Sequence, residues 1–277
     1  MTERRADLHV HTNASDGMLT PEQVVDEAAR LGLAGIGIAD HDTVNGVLPA
    51  VNQGERVGIT VVPAIEINTD YAEKEVHLLG YFIDPESDKL HAHLDRIRLA
   101  RVERGAEMVR RLNKIGINIS MDRVKEIAGT GSLGRPHVAR ALVEAGYSSG
   151  MNAAFGKYLT PKTPGYVPRY KLTPFEAIEI IREAGGVAVV AHPGHFKHDE
   201  WIPDFINAGL QGIEAAHTDH SSAQRRRYIR LARKYGLIAT GGSDYHGPDM
   251  LKMISIGHMS VDMAVVEELR EKSAQPR

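Results

Sequence analysis

The 277-residue chain contains no cysteine. That one absence excludes disulfides, thiolate metal sites and cysteine nucleophiles together. No apolar run approaches the roughly 20 residues of a membrane span. The first residues, Met1 to Arg5, lead straight into a predicted strand without the apolar stretch of a signal peptide. A soluble, cytoplasmic protein with no membrane partner is therefore expected. An excess of one charge is also lacking: 33 Lys and Arg stand against 36 Asp and Glu, a formal net charge of −3. Such a balance offers no broad attraction for long nucleic acid or an anionic membrane, although a local basic pocket for a small phosphorylated molecule is compatible with it. Hydrophobic residues make up 42% of the chain, enough for a sizeable core in one large domain or in a domain with an insertion.

What is present, first, is alternation. Ala6–Val10, Gly35–Ala39, Thr60–Ile65 and Val76–Ile83 read as strands, with helices over Pro21–Leu31 and Val47–Val57. Thr20 is the expected N-cap of the first helix, Pro21 its first residue and Gly32 its stop. After Pro161, helices over Pro174–Ala184, Asp199–Ala208 and Ser222–Tyr235 alternate with strands over Val187–Ala191, Gly212–Ala216 and Leu237–Thr240; Val261–Ser273 reads as a last helix. The middle differs. Leu90–Asn113, Met121–Ala128, His137–Glu144 and Met151–Tyr158 carry helical patterning and no good strand. Strands separated by helices imply parallel βαβ units. An α/β barrel domain over 1–88 and 162–277 is expected, with an all-helical insertion over 89–161 placed to cover its mouth.

Second, there are residues of metal-ligand type at strand ends. His9-Val10-His11, Asp40-His41-Asp42, His192-Pro193 and Ser243-Asp244-Tyr245-His246 each follow or end a strand, and Asp16, Glu66 and His77 fall beside them. His9, His11, Asp16, His41, Glu66, His77, His192, Asp244 and His246 are thus nine candidate metal ligands. Imidazole with carboxylate and no thiolate suits Zn, Mn or Fe, and so many donors suit a multi-metal hydrolytic centre. Donors gathered from many strand ends favour a barrel, whose mouth collects them, over a doubly wound sheet.

The spacing matters as much as the residue type. On a strand, His9 and His11 share a face. The similar pair His91 and His93 lies in a helical stretch, where residues two apart do not, and reads as helix surface. Asp16 sits in a polar loop, as a returning ligand or as a turn aspartate before Gly17. Asp40, His41 and Asp42 are costly to desolvate without a cation or partners; Asp42 is also a candidate helix N-cap. Glu66 is a candidate bridging carboxylate, with a buried salt bridge as the alternative. His77 precedes its apolar run, which suits an antiparallel or irregular strand.

Other residues carry weaker signals. Glu214 reads as an outer partner of the ligands or a core salt bridge. Arg135, opening a predicted helix, reads as a phosphate contact or a surface arginine. Arg225, Arg226 and Arg227 read as a solvated helix face. His195, His198, His217, His220 and His258 read as surface residues, with His195 close to the site.

Taken in order, His9-Val10-His11, Ser15-Asp16-Gly17, Ala39-Asp40-His41-Asp42, Glu66, His77, Ala191-His192-Pro193 and Gly242-Ser243-Asp244-Tyr245-His246 resemble the PHP (polymerase and histidinol phosphatase) family of metal-dependent phosphoesterases. The match spans nearly the whole chain. Gly134-Arg135-Pro136-His137 and the stretch from Lys157 to Val167 are similar to a stand-alone bacterial branch. That branch contains nucleoside 3′,5′-bisphosphate phosphatases and an exonuclease acting from the 5′ end of short RNA. The resemblance implies a distorted (β/α)7 barrel and two or three divalent metal ions (Mn, Fe or Zn). It implies that His9, His11, Glu66 and Asp244 hold one ion, that Glu66 bridges to a second held by His77 and His192, and that Asp16, His41 and His246 hold a third.

The same resemblance implies that Arg135 and His137 contact phosphate, with Lys162 and Tyr166 as further substrate contacts. Thr163, where relatives often carry a basic residue, precedes Pro164-Gly165-Tyr166-Val167 and departs from the pattern. The expected function is hydrolysis of a phosphate monoester on a small phosphorylated nucleotide, with Arg135 neutralising charge and His195 or a non-ligating His246 donating a proton. The alternatives are a 5′-to-3′ exonuclease on short RNA, a histidinol-phosphate phosphatase, a carbon–nitrogen hydrolase, and a non-catalytic metal-stabilised module.

Overall fold

The computed structural model describes residues 4–129, 133–168, 170, 172–247 and 254–273. It divides into two compact units, Met1–His91 with Leu172–Arg277, and Ala92–Lys171. Along the chain the elements are β1 (Arg5–Val10), α1 (Pro21–Arg30), β2 (Gly35–Ile38), α2 (Val47–Val57), β3 (Thr60–Tyr71), β4 (Lys74–Tyr81) and α3 (Asp88–Lys114). Then come α4 (Met121–Ala128), α5 (Arg135–Glu144) and α6 (Met151–Ala154), the last continuing into a π-helical turn, Phe155–Leu159. The remainder is α7 (Pro174–Glu183), β5 (Val187–Val190), α8 (Ile202–Ala208), β6 (Gly212–His217), α9 (Ser222–Tyr235), β7 (Ile238–Gly242), β8 (Val261–Asp262) and α10 (Met263–Ser273).

Local chemistry sets these limits. Thr20, Thr173 and Ser221 each cap a helix and receive the side chain of Gln23, Glu176 or Gln224 in return, which satisfies two otherwise orphaned N–H groups per helix. Gly32, at φ 77, stops α1 as expected. Strands β2 and β5 are buried at every residue, as strands covered on both faces must be, and this is why they read as uninterrupted apolar runs.

The first unit is built on one sheet in the order β7-β6-β5-β4-β3-β2-β1-β8. Pairing is parallel through β1, β2 and β3 and again through β5, β6 and β7, but β4 is antiparallel to both of its neighbours. The sheet then closes on itself. Beyond β7, Tyr245 pairs in parallel with Val10; the Asp244 N–H donates to the His9 carbonyl at 2.8 Å and the His11 N–H to the Tyr245 carbonyl at 3.0 Å. Closure demands close approach at Gly242, where an added Cβ would lie 2.3 Å from the His9 nitrogen. The expected α/β barrel is therefore present, and its distortion has a cause in the antiparallel β4.

Three local expectations change. Strand β3 runs through Glu66 to Tyr71 rather than ending at Ile65, because it pairs with all of β4 from Ala64↔Tyr81 to Tyr71↔Lys74. Val261 and Asp262 form a short strand antiparallel to β1, and the last helix starts at Met263. Asp199–Trp201 is a 3-10 turn, with Pro203 in the first turn of α8 behind it.

Alternation along the strands sorts the barrel interior. Glu66 shares a face with Ala64 and Val62, and His77 with Leu79 and Tyr81. These four apolar residues pack with Val187, Val189 and Ile238, and helix α10 adds Met263, Val266 and Leu269 to the same cluster. Donors sit on the strand segments beyond it.

The described residues of the second unit form helices joined by turns and loops, with no strand among them. Its own core joins Met108 and Leu112 of α3, Val124 of α4, Val138 and Leu142 of α5, and Leu159 of the π turn.

Candidate active site

The first donor set comes from both ends of the chain. His9 on β1 and His11 just past its end are fully buried, and Asp244 and Glu66 face them from beyond β7 and from the middle of β3. His9 Nε2 stands 3.3 Å from Glu66 Oε2 and 3.4 Å from Asp244 Oδ1; His11 Nε2 stands 3.3 Å and 3.1 Å from the same two oxygens.

Glu66 joins this set to a second. Its other oxygen, Oε1, lies 2.8 Å from His77 Nδ1 and 3.0 Å from His192 Nε2. His41 stands between the second and third sets, with Nδ1 3.0 Å from Glu66 Oε2 and Nε2 3.9 Å from Asp16 Oδ2. In the third set, Asp16 Oδ1 is 3.4 Å from His246 Nε2 and 3.8 Å from His11 Nδ1. All nine residues expected as ligands are thus brought together at one end of the barrel.

So many charges in one place shift one another. Burial alone would raise the Glu66 pKa, yet His41, His77 and His9 hold it well below the usual carboxylate range. Burial opposes protonation of His77 but the Glu66 and Glu75 carboxylates outweigh it, lifting the ring to about 10. His246 rises to about 9 against burial through Asp16 and Asp244. His11 goes the other way, to about 4, pushed down by burial and by His41.

The donor set fits divalent cations. Ligands at about 2.1 Å from one ion, spaced by 90–109°, lie about 3.0–3.4 Å apart, and the first set has this spacing on all four of its measured edges. His9 Nε2, both nitrogens of His11, Glu66 Oε2 and Asp244 Oδ1 are buried and make no hydrogen bond among the described residues. Orphaned polar atoms of this kind are costly in a core. A cation satisfies them where a proton on one partner does not.

The chain is similar to known proteins. The PHP domain family matches residues 7–151. The 3′,5′-nucleoside bisphosphate phosphatase of Chromobacterium violaceum is 38% identical over 248 residues, covering 87% of each chain. The chain belongs to the PHP domain family. The 5′-3′ exoribonuclease Rnm of Escherichia coli is 35% identical over 249 residues, covering 87% of this chain and 85% of its own. A solved Bifidobacterium adolescentis chain, assigned as a candidate metal-dependent phosphoesterase, superposes with a TM-score of 0.81 at 33% identity, covering 98% of this chain and 96% of its own. The expected class, a metal-dependent phosphoric ester hydrolase, stands with these relatives.

Around these donors lies a layer of residues that the sequence only partly discloses. His217 and His220 are buried, not on the surface. His217 accepts from the Asp219 N–H at Nδ1 and sits 3.3 Å from Asp244 Oδ2 through Nε2. His220 accepts from the Gly194 N–H and contacts the Ala215 carbonyl, holding the loop after His192. Asp7, two residues before His9 on the same face, accepts from the backbone of Ser243 and Gly257; burial raises its pKa to about 6. Its signal was present, since Asp7, His9 and His11 alternate along one strand.

Asp42 does not cap a helix. It has φ 52 and accepts from the backbone and side chain of Asn68, while α2 starts five residues later. Asp40 instead clamps the Asp16 loop, accepting from Thr12 N–H, Thr12 Oγ1 and Ser15 Oγ at 2.7, 2.7 and 2.6 Å. His195 is half-exposed at the edge of the cluster, 3.2 Å from Asp219 Oδ2; burial and the charges of His192 and His217 lower its pKa. His91 and His198 are tied to local partners, Pro85 and Glu200.

The expected substrate residues belong to the second unit. Arg135 opens α5 and its guanidinium lies 5.9 Å from the Phe155 ring. His137 accepts the Gly134 N–H at Nδ1, closing the start of that helix. Lys162 is exposed at φ 73, and Tyr166 donates its backbone N–H to the Thr163 carbonyl. No described helix is long and apolar enough to cross a membrane.

Proposed function

We propose that this protein hydrolyses a phosphate monoester on a small nucleotide, either the 3′-phosphate of a nucleoside 3′,5′-bisphosphate or a mononucleotide, using two or three divalent cations. The carrying observation is the shared Glu66 carboxylate, with one oxygen toward His9 and His11 and the other toward His77 and His192. A carboxylate placed so is suited to hold two cations side by side, the arrangement used for in-line displacement at phosphorus.

His9, His11, Glu66 and Asp244 would hold one ion; Glu66, His77 and His192 a second; Asp16, His41 and His246 a third. Mn, Fe and Zn all suit these ligands. Such ions, when bound, acidify a coordinated water and neutralise charge on phosphoryl oxygens. The chain's own groups do the positioning. Asp40 fixes the Asp16 loop, and His220 fixes the backbone around Gly194. His195, outside the three sets named above and beside Asp219, is assigned the proton transfer to the leaving oxygen.

The substrate class rests on the Chromobacterium relative, named for nucleoside bisphosphates, and on the near-neutral charge, which suits a small anion better than a long one. The Escherichia coli relative, named as an exoribonuclease at similar identity and coverage, favours a second reading in which the same centre cleaves a diester at the end of short RNA. Product analysis separates the two. Metal-loaded protein is incubated with adenosine 3′,5′-bisphosphate, mononucleotides, histidinol phosphate and a 5′-phosphorylated dinucleotide. Inorganic phosphate from the bisphosphate or a mononucleotide, with the dinucleotide left intact, is expected. Mononucleotide release from the dinucleotide alone would replace the first reading with the second.

A further inference from the structure

Glu214 lies on β6 with none of its surface exposed, where the pairing of β6 with β7 shifts register between Glu214 and Ala216. A buried carboxylate is costly unless its oxygens are engaged. Here the two oxygens serve two different segments. Oε1 is 3.0 Å from His9 Nδ1, and Oε2 accepts the His192 N–H at 2.8 Å.

The first contact favours a proton on His9 Nδ1, because an ionised carboxylate can only accept. With Nδ1–H directed at Glu214, the Nε2 lone pair faces Glu66 and Asp244. The second contact acts on the backbone. His192 has φ 24, a region that residues with a Cβ avoid and that persists only when its surroundings hold it. In that conformation His192 Nε2 reaches 3.0 Å from Glu66 Oε1. One side chain thus orients a donor in each of the two sets that Glu66 joins.

We propose that Glu214 is a positioning residue that sets the His9 tautomer and the His192 backbone together, so that the first and second cation sites form as a pair. This inference rests on the metal-centre reading above. It predicts that the two sites fail together when Glu214 is changed.

The test uses full-length metal-free protein titrated with zinc against a competing chelator, for wild type, Glu214→Gln and Glu214→Ala. Loss of an outer partner to a metal ligand costs roughly 10–100-fold in affinity, and a drop of that size is expected at both sites, larger for Glu214→Ala. Glu214→Gln keeps the shape and an acceptor for His9 but turns one end into a donor against the His192 N–H; it carries the test if Glu214→Ala does not fold by circular dichroism. In the zinc-loaded state the His9 Nδ1–H signal, read by 15N-histidine NMR, should be protected in wild type and lost to exchange in Glu214→Ala. Wild-type affinity and stoichiometry in both variants would overturn the role of Glu214, and weakening of one site alone would overturn the pairing. Wild-type protein that takes up no zinc would overturn the metal-centre reading itself.

Discussion

Glu66 and His192 are 126 residues apart in sequence and 3.0 Å apart in space. The contact spans the barrel from β3 to the end of β5, and Glu66 makes its opposite contacts to β1 from the same carboxylate. A single buried acid therefore ties three strand segments to one another. Removing its charge should release all of them at once.

Glu66→Gln is accordingly expected to lose cations from both of the sets it joins, not from one. Elemental analysis after dialysis measures this, with circular dichroism as the check on folding. Activity should fall by at least the roughly 10²–10³-fold typical of losing one charge-stabilising group.

Asp244→Asn keeps the shape of a residue whose Oδ1 faces His9 and His11 and whose Oδ2 faces His217. Hydrolysis should collapse while the far-ultraviolet spectrum is unchanged. An active variant would remove Asp244 from the cation site and would revive the reading of the donors as structural.

Much of this was legible in the chain, and the reasons are specific. Gly35–Ile38 and Val187–Val190 are covered on both faces, so their sequences are apolar throughout and easily seen. His11, His192 and Asp244 announce themselves as costly groups just beyond such runs. Glu66 reads as a strand end because the strand continues through polar Asn68 and Asp70, which apolar pattern does not reveal. His217 escapes the apolar pattern for a related reason. The register shift after Glu214 breaks the period of two, and the histidine that follows reads as a loop residue although it is buried. The positive φ of Asp42 leaves no local mark in composition, so its pairing with Asn68 in place of a helix cap was invisible.

Asp40 offers a test that separates loop support from ligation. Its carboxylate holds Thr12 and Ser15 through three hydrogen bonds but belongs to none of the donor sets. Asp40→Ala leaves a buried N–H and hydroxyl unpaired, at about 1–3 kcal/mol for each group. Thermal unfolding should report the loss, and the cation held by Asp16 should be the first to go on dialysis.

Metal uptake should release protons. An imidazole must be neutral to bind a cation. In the metal-free protein His77 and His246, at about 10 and about 9, carry their protons at pH 7, so cation and proton compete. Apparent affinity should rise with pH across the neutral range and weaken as pH falls. Calorimetry in two buffers of different ionisation enthalpy measures the protons released; a net uptake, or none, would contradict the protonation assigned to these two rings.

Gly242 tests the barrel closure itself. A Cβ there would meet the nitrogen and Cβ of His9 at 2.3 and 2.4 Å. Both contacts are shorter than packed atoms tolerate, so Gly242→Ala must push β7 away from β1. Overpacking of this kind costs about 1–3 kcal/mol or more, and loss of the cation held by His9 should accompany the fall in melting temperature.

The most direct measurement is a titration of chelator-stripped protein with manganese, following phosphate release from a nucleoside 3′,5′-bisphosphate. No release without metal is expected, then a rise that saturates at two or three equivalents and is abolished in Glu66→Gln. Undiminished release from the stripped protein, or full metal uptake with no release from this or any other phosphate ester, would contradict a catalytic cation centre built on Glu66.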